Sequence, residues 1–372
     1  MRVLYVSKAM TVGAYRDKLR ELARHVELRA LAPERWAGRK ADSVDGGQPW
    51  MQLVRAAFDG HNHFHLYRDV HQLFEGGRPD IVHIDEEPYS AVTAQLARQC
   101  SRRNLPFLFF AWQNIEKRIP PPFDAVRSYV FKRASAGLAG TEEAAGVLRA
   151  WGWRGLTGVI PQMGVDPDRF QRQAAGRQRV RQLLNVGPSD FVIGFGGRLL
   201  REKGVHTLVR AAGMIPGALL VFVGDGPERA SILETAQATG IAHRVQVRPG
   251  VPSQEVPDWL SAFDVLVLPS LTTRGWKEQF GRILVEAMAC EVAVIGSDSG
   301  EIPTVVGDGG IVVREGDVLA LADALRKVAG SHELRAELGA RGRKRVISNY
   351  TNERIAIDTV RFYEQLLAEV AA

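Results

Sequence analysis

"FVIGFGGRLLREKGVHTLVRAA", residues 191–212, reads as a strand, a glycine turn, a basic pair and a helix in immediate succession. A buried strand that hands over to a helix through a tight turn is the building unit of a parallel sheet. The same rhythm recurs in both directions. Before it, "RVLYV", "VELRAL", "MQLVRAAF", "DIVHID", "PFLFFA" and "AGLAG" predict strands, with helices over "YRDKLRELARH", "YSAVTAQLARQCSRR" and "EEAAGVLRAW". Beyond "DFVIGFGG" come strands at "ALLVFVG", "RVQVR", "DVLVLPS", "VAVIGSD" and "GIVV". Helices there are expected over "VHTLVRAAGMI", "ERASILETAQATG", "GRILVEAMAC" and "DVLALADALRKVAG".

A chain of 372 residues exceeds what one hydrophobic core usually supports. The polar, turn-rich stretch "GVDPDRFQRQAAGRQRV" marks the boundary near 166–176. The expected fold is therefore α/β: two doubly wound Rossmann-like domains, 1–168 and 169–348, with a last helix over 349–372 that joins the first. Such domains bind ligands at the carboxyl ends of their strands, here expected to face a central cleft.

Composition is that of an ordinary globular enzyme, 45% apolar and 24% charged. Cys100 and Cys290 stand in separate halves, outside any metal-ligand spacing, so free buried thiols in a reducing cytoplasm are expected. No signal peptide and no membrane span is expected from the apolar runs. Residues 1–170 carry 24 Lys/Arg against 19 Asp/Glu, an excess of five, while residues 171–372 carry 24 against 23. The first half is thus the more basic, which suits either an anionic partner or a solvated surface. Basic residues are scattered rather than striped with aromatics, which argues against nucleic acid as a partner.

In the opening stretch, Gly194, Gly196 and Gly197 let the backbone approach a ligand, and Arg198 and Lys203 flank the start of a helix. Helix N-termini with cations beside them bind diphosphates. The stretch lacks the third glycine of a dinucleotide fingerprint and the Lys-Ser/Thr of a P-loop. "VFVGDGPER" adds a second glycine turn, Gly224-Asp225-Gly226. "GWKEQFGRILVEAMA", 275–289, puts Glu278 ahead of a helix and Glu286 inside it, among Leu284, Val285, Ala287 and Met288. A carboxylate accepts two hydroxyl donors in a near-planar fork, so a sugar or ribose fits both positions. The bland alternative pairs Glu286 with Arg282.

Glu278 and Glu286 with their spacing resemble the E-x7-E signature of family-four retaining glycosyltransferases, which have the GT-B fold. "GRLLREKG", "VGDGPER", "PGVPSQEVPDWLSAFDVLVLPS" and "SDSGEIPTVVGDGG" resemble further family segments in the same order, and "IPQMGVDPDRF" resembles the interdomain one, with Met163 where Asn is usual. The resemblance spans the chain and is strongest from 191 to 310. It implies a metal-independent transferase with no cofactor, taking a nucleoside-diphosphate sugar, UDP- or GDP-linked, to a glycan, lipid-linked or small-molecule acceptor. By the same resemblance Arg198 and Lys203 would neutralise the departing diphosphate, and Glu278 with Gln279, Phe280 and Gly281 would hold the donor sugar. Glu286 would take the ribose, Val251 would face the base, and Gly13, Gly197, Gly224 and Ile283 would border the donor.

The chain departs from the family on the acceptor side. Where many relatives have a His, "PFLFFAWQNIEKRIPPPF" offers Trp112, Gln113 and Asn114. Glu86 and Glu87 end the strand of "HIDEEPYS" and are candidates for the acceptor or for a helix-start preference. Lys8, Arg16 and Lys18 are candidates for an acceptor phosphate. His61, His63 and His65 alternate as though on one strand face but lack the ligands of a zinc site; Asp166 and Asp168 read as turn formers. "FDAVRSYVFKRA", 123–134, is basic with Phe, Tyr and Val along it. It fits a core-facing helix better than a peripheral contact at the inner face of a membrane. The competing functions are a nucleotide-sugar epimerase, a nicotinamide-dependent oxidoreductase and a non-catalytic nucleotide-sugar binder.

Overall fold

The computed structural model describes residues 1–44 and 48–371, which divide into two units. The first comprises Met1–Gly164 with the chain from Asn352 on, and the second Val165–Thr351. The corresponding expectations were 168 and 348; position 372 of the expected last helix lies outside the described residues.

Seven strands build the first sheet: β1 (Arg2–Val6), β2 (Glu27–Pro33), β3 (Met51–Val54), β4 (Ile81–Ile84), β5 (Phe107–Ala111), β6 (Ala136–Ala139) and β7 (Leu156–Val159). All pairings are parallel, in the order β7-β6-β5-β4-β1-β2-β3. Period-two alternation sends Leu4, Val6, Val82, Ile84, Phe107 and Phe109 into one core. Val3, Tyr5, Ile81, Leu108 and Phe110 go into a second core on the other face. The second core is closed by the last helix, Asn352–Ala371, through Ile355, Ala356, Phe362, Tyr363 and Leu366.

The second unit has β8 (Val192–Gly196), β9 (Leu219–Val223), β10 (Val245–Arg248), β11 (Val265–Leu268), β12 (Ala293–Ser297) and β13 (Ile311–Val313). They are parallel in the order β10-β9-β8-β11-β12-β13. Val165 N–H donates to the Tyr350 carbonyl at 2.9 Å, tying the unit's two ends together. In both sheets the chain fills strands to one side of its first strand and then crosses to the other side. The order reverses between β1 and β4 and between β8 and β11, and loops part there.

Several expectations change. "MQLVRAAF" is not one strand: β3 ends at Val54, and Ala56–Ala57 pairs antiparallel with Leu66–Tyr67. β7 is absent from the six-strand reading of the first half, and the helix His332–Asn349 from the second. His61, His63 and His65 do not share a strand face, because 62–64 form a turn. No group of three or more metal-ligating side chains occurs among the described residues. The helix Phe123–Phe131 faces the core: Val130 is fully buried, and Phe131 stacks on Phe109 and meets Trp153. Asp166 Oδ1 accepts the Asp168 amide at 2.9 Å, a side-chain-closed turn. No helix among the described residues is long and apolar enough to cross a membrane. Cys100 and Cys290 are free and buried.

Gly194 does not serve a ligand. A Cβ there would stand 2.1 Å from the buried ring of Phe263, so the residue permits close packing of side chain on strand. Gly194→Ala is expected to cost about 1–3 kcal/mol through overpacking, read as a lower urea midpoint for the second unit's tryptophans with an unchanged slope.

Candidate functional site

The second unit gathers its predicted residues at the carboxyl ends of the strands around its switch point. Gly197 and the exposed Arg198 follow β8, and a 3₁₀ turn, Arg201–Lys203, leads into the helix Val205–Gly213. Gly204 between them has φ 70°, and a Cβ on it would lie 1.8 Å from the Pro269 carbonyl oxygen. Only glycine combines that left-handed conformation with so close an approach to the β11 loop. Gly224, after β9, packs as tightly: a Cβ there would come 1.9 Å from the Gly197 carbonyl oxygen. Asp225 Oδ2 accepts the Gly250 amide at 3.0 Å, just before the half-buried Val251. The loops after β8, β9 and β10 thus lean on one another.

Across the switch point, Lys203 Nζ meets Glu278 Oε2 at 2.6 Å, and Ser270 Oγ–H donates to the same oxygen at 2.8 Å. The Lys203 ammonium also lies 4.9 Å from the centre of the Trp276 ring. Glu278 is buried at 6% exposure, so its charge depends on these partners. Neither Ser270 nor Trp276 was singled out from sequence; a serine just after a buried strand, in "LPSLTTRGW", is the signal that was there to read.

Gly281, at φ 76°, begins the helix Arg282–Ala289, with exposed Gln279 and buried Phe280 just ahead. Phe280 packs edge-on against Tyr350 at 5.6 Å, so its side chain serves the fold. Ile283 rests against Gly196, with its Cδ1 3.0 Å from where a Cβ would be. Glu286 is buried, and Arg282 Nε stands 2.8 Å from its Oε1. Burial pushes the Glu286 carboxyl upward, with Arg282 and then Arg169 pulling the other way.

The first unit has its own cavity, about 290 Å³, at the switch point between β1 and β4. Lys8, Thr11, Trp36, Glu87, Trp112 and Gln162 are among its lining residues. Glu86 is spent internally: Lys8 N–H donates to its Oε1 at 3.0 Å, Lys8 Nζ bonds Oε2, and His65 Nε2 is 3.7 Å away. Burial drives the His65 imidazole down to about 4, so that ring is neutral at pH 7. Glu87 Oε1 accepts the amides of Trp112 and Gln113 at 2.8 and 2.9 Å. Burial pushes its carboxyl up to about 7 against those bonds and the charges of Lys8 and Lys117.

The residues that the sequence offered to an acceptor around this cavity have internal partners. Gln113 gives its side-chain amide to the Ile115 carbonyl at 3.0 Å, and Asn114 gives its own to Glu143 Oε2 at 3.3 Å. Trp112 and Gln162, joined at 2.6 Å, line the cavity instead. Arg16 is fully buried with its guanidinium on the carbonyls of Met10, Asp42 and Ser43, and Lys18 is buried against Tyr5 Oη at 2.9 Å. Neither awaits a phosphate. Gly13 lies in this unit, its amide on Asp42 Oδ2 at 2.6 Å.

Residues 177–345 match the family model described as Glycosyl transferases group 1. Half of the chain is 33% identical, over 196 residues, to the GDP-mannose-dependent alpha-(1-6)-phosphatidylinositol monomannoside mannosyltransferase of Mycolicibacterium smegmatis, covering 51% of it. Another relative, the 2-deoxystreptamine N-acetyl-D-glucosaminyltransferase of Streptomyces fradiae, is 35% identical over 46% of this chain and 41% of its own length. The chain spans about half the length of the curated relatives it matches. Among solved structures, Anabaena Alr3699/HepE in complex with UDP is similar over 98% of this chain and 100% of its own, with a TM-score of 0.79 at 19% identity. A glycosyltransferase from Rickettsia africae is similar over 98% of both chains, with a TM-score of 0.79 at 16% identity. At these identities the likeness establishes the fold, two Rossmann-like α/β domains.

If Lys203 and Glu278 hold each other, a double-mutant cycle of Lys203→Met and Glu278→Gln in chemical unfolding is expected to give a coupling of about 1–3 kcal/mol. Additive single effects would show the pair to be energetically idle.

Proposed function

We propose that this chain, whose residues 177–345 match the model described as Glycosyl transferases group 1, moves a sugar from a UDP- or GDP-linked donor to a glycan, glycolipid or small-molecule acceptor. The observation that carries the reading is the Lys203–Glu278 pair at the second switch point, with Arg198 exposed beside it and the N-terminus of Arg282–Ala289 following. Support for the substrate class comes from relatives whose names state GDP-mannose dependence or transfer to 2-deoxystreptamine.

Breaking a sugar–diphosphate bond leaves positive charge on the ring and negative charge on the departing oxygens. Arg198, Lys203 and helix N–H groups neutralise the latter, already oriented before the bond breaks. Glu278 and the backbone at 279–281 hold the sugar hydroxyls, and Glu286 takes the ribose diol by exchanging part of its hold on Arg282. Because one Glu278 oxygen already receives Lys203 and Ser270, it is a poor covalent nucleophile. Retention of anomeric configuration, by attack on the leaving-group face, is what the resemblance to the family-four retaining enzymes implies for this chain. The cations of the chain take the part a metal plays elsewhere, so no metal is required. We place the reaction in the cytoplasm, where free Cys100 and Cys290 persist.

Thermal unfolding with UDP, GDP, ADP or NAD checks this. One nucleoside diphosphate at ~100 times its dissociation constant adds about 2.7 kcal/mol of stability. The gain is expected to survive EDTA and to vanish in Arg198→Ala; stabilisation by NAD alone, or by nothing, defeats the reading. A lipid-linked acceptor would add a peripheral membrane contact through Lys132 and Arg133, exposed at the end of the helix Phe123–Phe131. Co-sedimentation with anionic liposomes, lost in Lys132→Glu/Arg133→Glu, is the outcome expected for that contact.

A further inference from the structure

Glu228 grips both ends of the basic segment that follows β8. Its backbone N–H donates to the Leu199 carbonyl at 3.2 Å, and the Leu199 N–H donates to the Asp225 carbonyl at 2.9 Å. Its side-chain Oε2 lies 2.6 Å from Nε2 of His206, in the first turn of the helix Val205–Gly213. Residues 199–206, which contain Lys203 and follow directly on Arg198, are thereby closed into a loop. Midway, the Glu202 carbonyl accepts the Leu271 amide at 2.7 Å. The ties at Leu199 and Glu202 are main-chain bonds open to almost any sequence, whereas the tie at His206 depends on two side chains.

The His206 ring is fixed from both sides. Its Nδ1 stands 2.9 Å from Oγ1 of Thr235, on the helix Arg229–Ala238, and the Thr235 hydroxyl donates to the Ser231 carbonyl at 2.7 Å. Ser231 Oγ–H donates to Glu228 Oε2 at 2.8 Å. The bonds from His206 and then from Ser231 hold the Glu228 carboxyl below its usual range. An ionised carboxylate only accepts, so His206 Nε2 carries the hydrogen between them. Both side chains are half-buried, and a bond to an ionised partner there outlasts its neutral counterparts.

We infer that His206 is a positioning residue: held by Glu228, it keeps the segment 199–206 in the shape that presents Arg198 and Lys203 to a diphosphate before the ligand arrives. For the word diphosphate this rests on the proposed donor site; the shape of the segment is independent of it. Cations that must first be ordered give up part of their binding energy to that ordering, so a loop already closed binds the anion more tightly. Neither His206 nor Glu228 needs to touch the ligand for this.

The test compares the full chain with His206→Ala, His206→Gln and Glu228→Gln. Without ligand, amide hydrogen exchange over 199–206 is expected to rise about tenfold in His206→Ala. It is expected to stay near the wild-type rate in His206→Gln, whose side-chain amide donates to Glu228 from the same place. Affinities are then measured by NMR titration for UDP and GDP and for uridine and guanosine. The preference for the diphosphate over its own nucleoside is expected to fall about tenfold in His206→Ala and to recover in His206→Gln. A general loss of structure lowers nucleoside binding equally and leaves that preference unmoved. Unchanged exchange in His206→Ala, or faster exchange with an unmoved preference, overturns the inference. If His206→Ala fails to fold, Glu228→Gln carries both readouts, with shifts expected in the same direction and no shift in either overturning it. If the wild type binds neither UDP nor GDP, the transferase reading falls, and the exchange rates alone decide whether His206 shapes the segment.

Discussion

A parallel sheet whose chain fills one side and then the other must part its loops where the order reverses, and both units of this protein put their charge into that gap. In the first, Ser7 and Lys8 leave β1 while Asp85, Glu86 and Glu87 leave β4. In the second, Arg198 and Lys203 follow β8, and Ser270 and Glu278 follow β11. The topology supplies the opening, and the chemistry is then a matter of which side chains stand at its rim.

Charges at such a rim are half removed from water and need partners. The second unit satisfies Glu278 with a lysine, a serine hydroxyl and a nearby indole beneath the ammonium group, leaving Arg198 in solvent. The first unit goes further in satisfying itself. Arg16 is folded into carbonyls, Lys18 lies under Tyr5, and Asp85 is held below the usual carboxylate range because Lys18 and its hydrogen bonds outweigh burial. One rim thus keeps Arg198 in solvent, while the other turns its charges onto internal partners.

How far the sequence disclosed this depends on whether a residue's role is local. Strands such as β8, β9 and β11 are short apolar runs closed by glycine or proline, and the helix Arg282–Ala289 follows from an apolar stripe behind Gly281; each is legible within ten residues. The helix His332–Asn349 was not, because its buried face is Leu338, Gly339, Gly342 and Val346, and the two glycines, where a Cβ would meet the Glu291 carbonyl oxygen and Met288, thin the apolar stripe to two residues. Lys8, Arg16 and Lys18 look alike in sequence as basic residues near a glycine. Their partners, Glu86, the Asp42 and Ser43 carbonyls and Tyr5, come from elements brought together only by folding. The same holds for Gln162, distant in sequence from the Trp112 it orients.

The helix from Asn352 on completes the core of the first unit, where Tyr363 Oη meets His83 Nδ1 at 2.6 Å and Phe362 lies over Gly158. On a ribosome, the second unit, which is a continuous piece of chain, has all its residues before the first does. The earlier half of the message must therefore wait, one face of its sheet covered only in part by Leu19 and Leu22 of the helix Asp17–Leu22, until the last turns of helix emerge. A stop codon a few residues before Tyr363 would spare the second unit and leave its sibling without a lid on its core.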